Sequence, residues 1–158
     1  MRIVVFSDTH GNFAAADSIF TKNKICDHFI FLGDGMEEME HLKKIYPEKK
    51  IYCVCGNCDR SDEPPSRTIE IFKTKMFMTH GHYHKVNETT DLLISRAKEE
   101  GASVILFGHT HKRLYEYTKG FHILNPGSAA QPKDHLPPGY AIIDLTPCGI
   151  NFMHVDLD

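Results

Sequence analysis

Short apolar runs alternate with amphipathic stretches over the first half of this chain, an alternation that predicts strands followed by helices. Arg2 to Phe6 is apolar and β-branched on both side-chain parities, the pattern of a parallel strand covered on two faces. Asn12 is placed to cap a helix running to about Lys24. Ala14 to Ala16 give that helix propensity, and Ile19-Phe20 give it an apolar face. A second strand spans His28 to Leu32 and closes at Gly33-Asp34-Gly35. Glu37 to Tyr46 reads as a helix with acids in its first turn, Lys43-Lys44 in its last, and Pro47 ending it.

Ile51 to Cys55 predicts a third strand, followed by a polar loop to Arg67 that contains Pro64-Pro65. Thr68 to Phe72 and Lys75 to Thr79 form an expected hairpin around Lys73-Thr74. Asn87 is the expected cap of the next helix, with Leu92, Leu93 and Ala97 buried and Gly101 at its stop. Ser103 to Phe107 is another buried strand. Leu114 to Tyr117 pairs with Phe121 to Asn125 about Lys119-Gly120, and Tyr140 to Leu145 pairs with Ile150 to Val155 across Thr146 to Gly149. Phe72, Phe77 and Phe107 fall in strands and are expected in the core. The order predicts one α/β domain over residues 1–158, with a mixed sheet, or two packed sheets, flanked by helices.

Composition narrows this further. At 158 residues the chain can bury a continuous core, and 41% hydrophobic with 25% charged residues excludes disorder and collagen-like repeats. The longest apolar run, Ile51 to Cys55, has five residues, and others, such as Val104 to Phe107, have four. A membrane helix needs about 20 and a signal peptide about 7–15, so a soluble, cytoplasmic protein is expected. Eighteen Lys plus Arg against 21 Asp plus Glu give a net charge of −3, which argues against nucleic acid or membrane as partner. Homo-oligomerisation stays open. Five cysteines (26, 53, 55, 58 and 148) are an odd number, as expected of free thiols in a reducing compartment. The Cys53-Val54-Cys55-Gly56-Asn57-Cys58 stretch lies in and beside an apolar strand, so buried structural thiols are expected there rather than a thiolate cluster.

The outlier is 11 histidines, because imidazole is both a common metal ligand and a proton shuttle. Many of them sit at strand exits. The first strand runs into Asp8-Thr9-His10-Gly11-Asn12, the second into Gly33-Asp34-Gly35, and the third into Gly56-Asn57-Cys58-Asp59. Later strands run into His80-Gly81-His82 and Gly108-His109-Thr110-His111. Any one of these alone is an ordinary glycine turn. Together they gather oxygen and nitrogen donors at the carboxyl ends of parallel strands, where α/β sheets bind ligands. That donor set suits manganese, iron, zinc or nickel.

This ordered set resembles the calcineurin-like metallophosphoesterases. The short length and the Gly56-Asn57-Cys58-Asp59 variant are similar to the small prokaryotic YfcE-type phosphodiesterases, and Asn125-Pro126-Gly127-Ser128 extends the likeness. The resemblance implies a four-layer α/β/β/α sandwich of two mixed sheets and a centre of two divalent metal ions, manganese first among manganese, nickel, iron, zinc and magnesium. It implies one ion held by Asp8, His10, Asp34 and His111, and another by Asp34, Asn57, His80 and His109, with Asp34 shared. It further implies a small phosphate ester as substrate, with Asp34, Asn57, Asp59 and His82 as the residues of catalysis. Where the wider superfamily has a histidine after the loop asparagine, this chain has Cys58, a poor proton donor to an alkoxide, so His82 or His84 would have to serve. Asn12 sits where a phosphate oxygen could bind. Two rival readings are a non-catalytic protein-binding scaffold of the same fold, as in the retromer subunit, and a nuclease.

Overall fold

The structure, a computed structural model, describes residues 1–157; Asp158, the last residue of the expected domain, lies outside the described residues. In chain order the elements are β1 (Arg2–Phe6), α1 (Phe13–Lys22), β2 (His28–Phe31), α2 (Met36–Ile45), β3 (Lys50–Cys53), β4 (Ser66–Ile71) and β5 (Thr74–Thr79). A 3-10 turn (His82–His84) then leads to α3 (Asp91–Glu100), β6 (Val104–Phe107), β7 (Arg113–Thr118), β8 (Phe121–Pro126), β9 (Gly139–Thr146) and β10 (Gly149–Asp156). No helix among the described residues is long and apolar enough to cross a membrane.

Two five-stranded mixed sheets result, in the orders β10-β9-β1-β2-β3 and β4-β5-β6-β8-β7. In the first, β1, β2 and β3 are parallel and β9 runs antiparallel to β1, so the two ends of the chain share one sheet. In the second, β5, β6 and β8 are parallel, with β4 and β7 antiparallel at the edges.

Side-chain parity explains the layering. Along β1, Ile3 and Val5 enter the core between the sheets with Ile30, Met78 and Leu106. Val4 and Phe6 enter a different core beneath α1 and α2, with Phe20, Phe29 and Met39. Phe20 stacks on Phe29 at 4.1 Å and on Tyr46 at 5.0 Å. A third core packs Phe77, Ile105 and Ile123 against Leu93 and Ala97 of α3. Each fully buried Phe or Ile contributes about 1.5–3 kcal/mol, which is why the strands are apolar on both parities. The result is the α/β/β/α sandwich.

Several boundaries differ from the sequence expectation. The first hairpin turns at Phe72-Lys73, both with positive φ, one residue earlier than Lys73-Thr74. Phe72 is therefore 57% exposed at the turn and does not join the core. The cap of α3 is Thr90, not Asn87, because the chain first makes the 3-10 turn and tucks Val86 into the third core. Leu92 is 45% exposed, and Ile94 takes its place in the core beside Leu93. β3 ends at Cys53, so Cys55 is only half-buried and Cys58 is exposed; neither is the buried structural thiol expected. Lys43 in the last turn of α2 is half-buried and donates to Glu63 at 3.0 Å.

Candidate metal centre

Because β1, β2 and β3 run parallel in one sheet, and β5 and β6 in the other, their following loops emerge at one rim. The backbone there is unusual. Asp8, His10, Asp34, His109 and His111 all have positive φ, between 44° and 66°. Left-handed backbone at a non-glycine residue costs of order 1–3 kcal/mol and persists only where surrounding bonds over-determine it.

Those bonds are present. Asp8 N–H donates to the Gly33 carbonyl at 3.0 Å, and His10 N–H to the Asp34 carbonyl at 2.9 Å, zipping the first two loops together. Glu38, buried on the first turn of α2, accepts from Thr9 Oγ1 at 2.7 Å and from Gly11 N–H at 2.8 Å. Ser128 Oγ donates to the Asp8 carbonyl at 2.7 Å, and Asn125 Nδ2 to the Gly108 carbonyl at 2.8 Å. Asp59 accepts from four backbone amides: Asp34 and Gly56 on Oδ2, Gly35 and Met36 on Oδ1, all at 2.8–2.9 Å. Two glycines are required by close approach. A Cβ on Gly56 would collide with Asp34 Oδ1, and one on Gly108 would collide with Ser7 Oγ and come within 3.0 Å of Asp8 Oδ2.

The donor atoms then converge in two overlapping groups. On one side Asp8 Oδ1 lies 3.2 Å from His111 Nε2 and 3.8 Å from His10 Nε2, and the two imidazole nitrogens are 3.1 Å apart. On the other, His80 Nε2 lies 3.4 Å from Asp34 Oδ2 and 3.1 Å from Asn57 Oδ1, and the His109 ring stands edge-on to His80 at 5.1 Å. Asp34 Oδ2 also lies 3.8 Å from His10 Nε2, so this carboxylate belongs to both groups. Its other oxygen takes the Cys58 N–H at 2.9 Å.

These contacts fit divalent ions. His80 Nδ1 faces the Leu32 carbonyl at 2.7 Å, and His111 Nδ1 faces the Gln131 carbonyl at 2.7 Å. A carbonyl only accepts, so each Nδ1 carries the hydrogen and each neutral ring presents an Nε2 lone pair to oxygens that are also acceptors. Such an arrangement is repulsive unless a metal ion sits among the donors or the rings take up protons, and a carbonyl on the far nitrogen is the usual partner of a metal-ligating histidine. Asp8 Oδ1, wholly buried, has no well-formed hydrogen bond among the described residues, its close neighbour being His111 Nε2 at 3.2 Å.

The metal-free electrostatics agree. Burial raises the Asp34 carboxyl, but the His80 ring and the Cys58 amide override it and hold it far below the usual carboxylate range. Burial pulls His80 down, while Asp34 and Asp8 pull it further up, to a net rise; the Asp8 bond raises His111 against its own burial. His109 and His82 are lowered, by burial first and then by neighbouring His80.

All seven expected metal ligands are thus brought to one rim. Asp59 is close, but its oxygens are committed to backbone, a positioning geometry that departs from the expected catalytic one. His82 packs its ring 5.4 Å from His80 and 6.3 Å from His109, at the edge of the second group. His84 turns away toward Phe77 and Thr79. Asn12 caps α1 through Ala15 N–H at 3.0 Å. Sequence reasoning missed Glu38, which reads as an ordinary first-turn acid; its one signal is that it stands next to the Glu37 that already serves the helix dipole. A cleft of about 600 Å3 opens beside the centre, lined by His10, Asp34, Cys58, Arg60, Glu37 and Glu40.

With fold and site described, the family is defined: the model of the calcineurin-like phosphoesterase superfamily domain matches residues 1–147, and the chain belongs to that family. Among curated relatives it is 33% identical, over 92% of this chain and 85% of the relative, to the probable metallophosphoesterase YsnB of Bacillus subtilis. It is 24% identical, over 91% of this chain and 88% of the relative, to the phosphodiesterase YfcE of Escherichia coli. Among solved structures, Vacuolar Protein Sorting 29 of Cryptosporidium parvum superposes with a TM-score of 0.75 at 17% identity, covering 98% and 96% of the two chains, a likeness of fold alone.

Proposed function

We propose that this chain is a phosphodiesterase acting on a small phosphate diester with two divalent metal ions. The observation that carries the reading is Asp34 Oδ2, 3.4 Å from His80 Nε2 and 3.8 Å from His10 Nε2, a carboxylate shared by two donor groups. One ion would be held by Asp8, His10, Asp34 and His111, the other by Asp34, Asn57, His80 and His109. Bound there, two ions supply Lewis acidity toward a phosphoryl group and an activated water. The chain's own part is placement. Asp34 and Asn57 hold the centre together, Asp59 fixes the loop that carries both, and His82 stands at the rim beside the second group. Manganese is the first choice of ion, because the donor set is rich in oxygen and imidazole.

The names of YsnB and YfcE support a metal-dependent phosphoesterase. The scaffold reading draws on the fold shared with Vacuolar Protein Sorting 29, but a scaffold does not need seven ligands gathered on a strained backbone. A nuclease is disfavoured by Glu37 and Glu40 on the cleft, which repel a polyanion. A cytoplasmic location accords with five free cysteines.

The test is to strip metal with a chelator, restore one divalent ion at a time, and assay bis(nitrophenyl) phosphate beside nitrophenyl phosphate. Metal-dependent diester cleavage exceeding monoester cleavage is expected. Diesterase activity that persists in the stripped protein would refute the reading.

A further inference from the structure

The thiol of Cys58, expected as a buried structural thiol, is exposed beside the metal-ligand group. One donor atom each from His10, Asp34 and Cys58 lies within 4.8 Å of the other two. The position is fixed by neighbours: Cys58 N–H binds Asp34 Oδ1 at 2.9 Å, which ties the residue to the shared carboxylate. Asn57 Nδ2 donates to Cys58 Sγ at 3.4 Å, so the sulfur acts as an acceptor while Asn57 Oδ1 faces His80. Asp8 Oδ1, buried and without a well-formed hydrogen bond among the described residues, lies in the adjoining group, 3.8 Å from His10 Nε2. Cys58 is itself exposed, so a small side-chain movement disturbs no core packing. Cys26 and Cys53 are buried in the core under α1 and α2, and Cys148 sits in the β9–β10 turn, so none of these three competes for this centre.

We infer that Cys58 is a selective metal donor: a soft divalent ion such as zinc or cadmium on the His10 side takes Sγ as a ligand, and a hard ion such as manganese or magnesium does not. The inference rests on the metal-centre reading above. Its chemistry follows from donor type. Thiolate suits soft ions, whereas carboxylate and water suit magnesium and manganese, and affinity at mixed sites already rises from manganese to zinc. As the sulfur–metal bond forms, the S–H bond breaks and its proton passes to water, with no change of oxidation state. In this protein the residue that replaces a histidine therefore sets which ions the centre holds tightly.

The experiment titrates metal-free protein with Cd2+ and, separately, with Mn2+. Sulfur-to-cadmium charge-transfer absorption in the ultraviolet and metal stoichiometry are read together. In wild-type protein the band should saturate at one thiolate per chain. Cys58→Ser should lose the band and bind cadmium 10–100-fold more weakly, the range typical for loss of a supporting group at a metal. Its manganese affinity should stay at the wild-type value. Cys148→Ser, which alters the exposed thiol of the β9–β10 turn, should keep the band. Two cadmium ions bound without a band, or a band surviving in Cys58→Ser, overturns the inference while leaving the dinuclear reading intact. Failure of both metals to bind stoichiometrically overturns the dinuclear reading and the inference with it.

Discussion

Replacing Asp59 with asparagine keeps the side chain's size and removes its charge, yet the structure predicts a large effect. Oδ2 accepts from Asp34 and Gly56 N–H, and Oδ1 from Gly35 and Met36 N–H. An amide has a single acceptor oxygen, so two of the four N–H groups would face an NH2 group instead. Hydrogen bonds to a charged group contribute about 1.5–3 kcal/mol each, so two lost bonds cost about 3–6 kcal/mol. Asp59 is only partly buried, and solvent screening reduces this to about 2–4 kcal/mol. At roughly 2–4 °C per kcal/mol for a chain of this size, thermal unfolding should move down by about 5–15 °C. The loss falls on the loop that holds Asp34 at a φ of 59°, so manganese affinity should drop as well. Circular dichroism melts of the metal-free protein and calorimetric manganese titrations read the two effects. An Asp59→Asn protein that melts with the wild type and binds manganese equally well would refute the positioning role.

Asp34→Asn removes the shared charge while keeping the fold, so both ions should weaken and turnover should fall beyond the 10–100-fold typical of outer-shell changes; metal analysis and diester assays decide it. Metal affinity should rise with pH through and above the ordinary imidazole value of about 6.5, because His80 and His111 are raised and must lose protons to bind; calorimetry in buffers of different ionisation enthalpy should show proton release. Cys58→His should raise turnover of alkyl phosphate esters more than of nitrophenyl esters, within the 10²–10⁴-fold that positioned acids contribute, and equal gains on both would contradict a leaving-group position.

The strands were legible because a strand covered on two faces must be apolar on both parities, as β1 and β6 are. The gathering of Asp8, His10, Asp34, Asn57, His80, His109 and His111 was legible because parallel strands deliver their exits to one rim; their expected division between two ions came from the family resemblance. What was hidden depends on distance along the chain. Pairing of β1 with β9 joins residues 2–5 to residues 141–144, and no local pattern encodes it. The roles of Glu38 and Asp59 lie in bonds to backbone amides up to 27 residues away, invisible to spacing. Asn87 misled because a good cap residue lies four positions before the helix begins, where burial of Val86 and a left-handed Lys85 set a different turn. Cys58 misled because it follows an apolar strand that stops at Cys53.

Anomalous diffraction from crystals soaked in Mn2+ tests the central claim most directly. Two peaks flanking Asp34 are predicted, one among Asp8, His10 and His111 and one among Asn57, His80 and His109. A single peak, or a pair that does not share Asp34, would contradict the dinuclear centre.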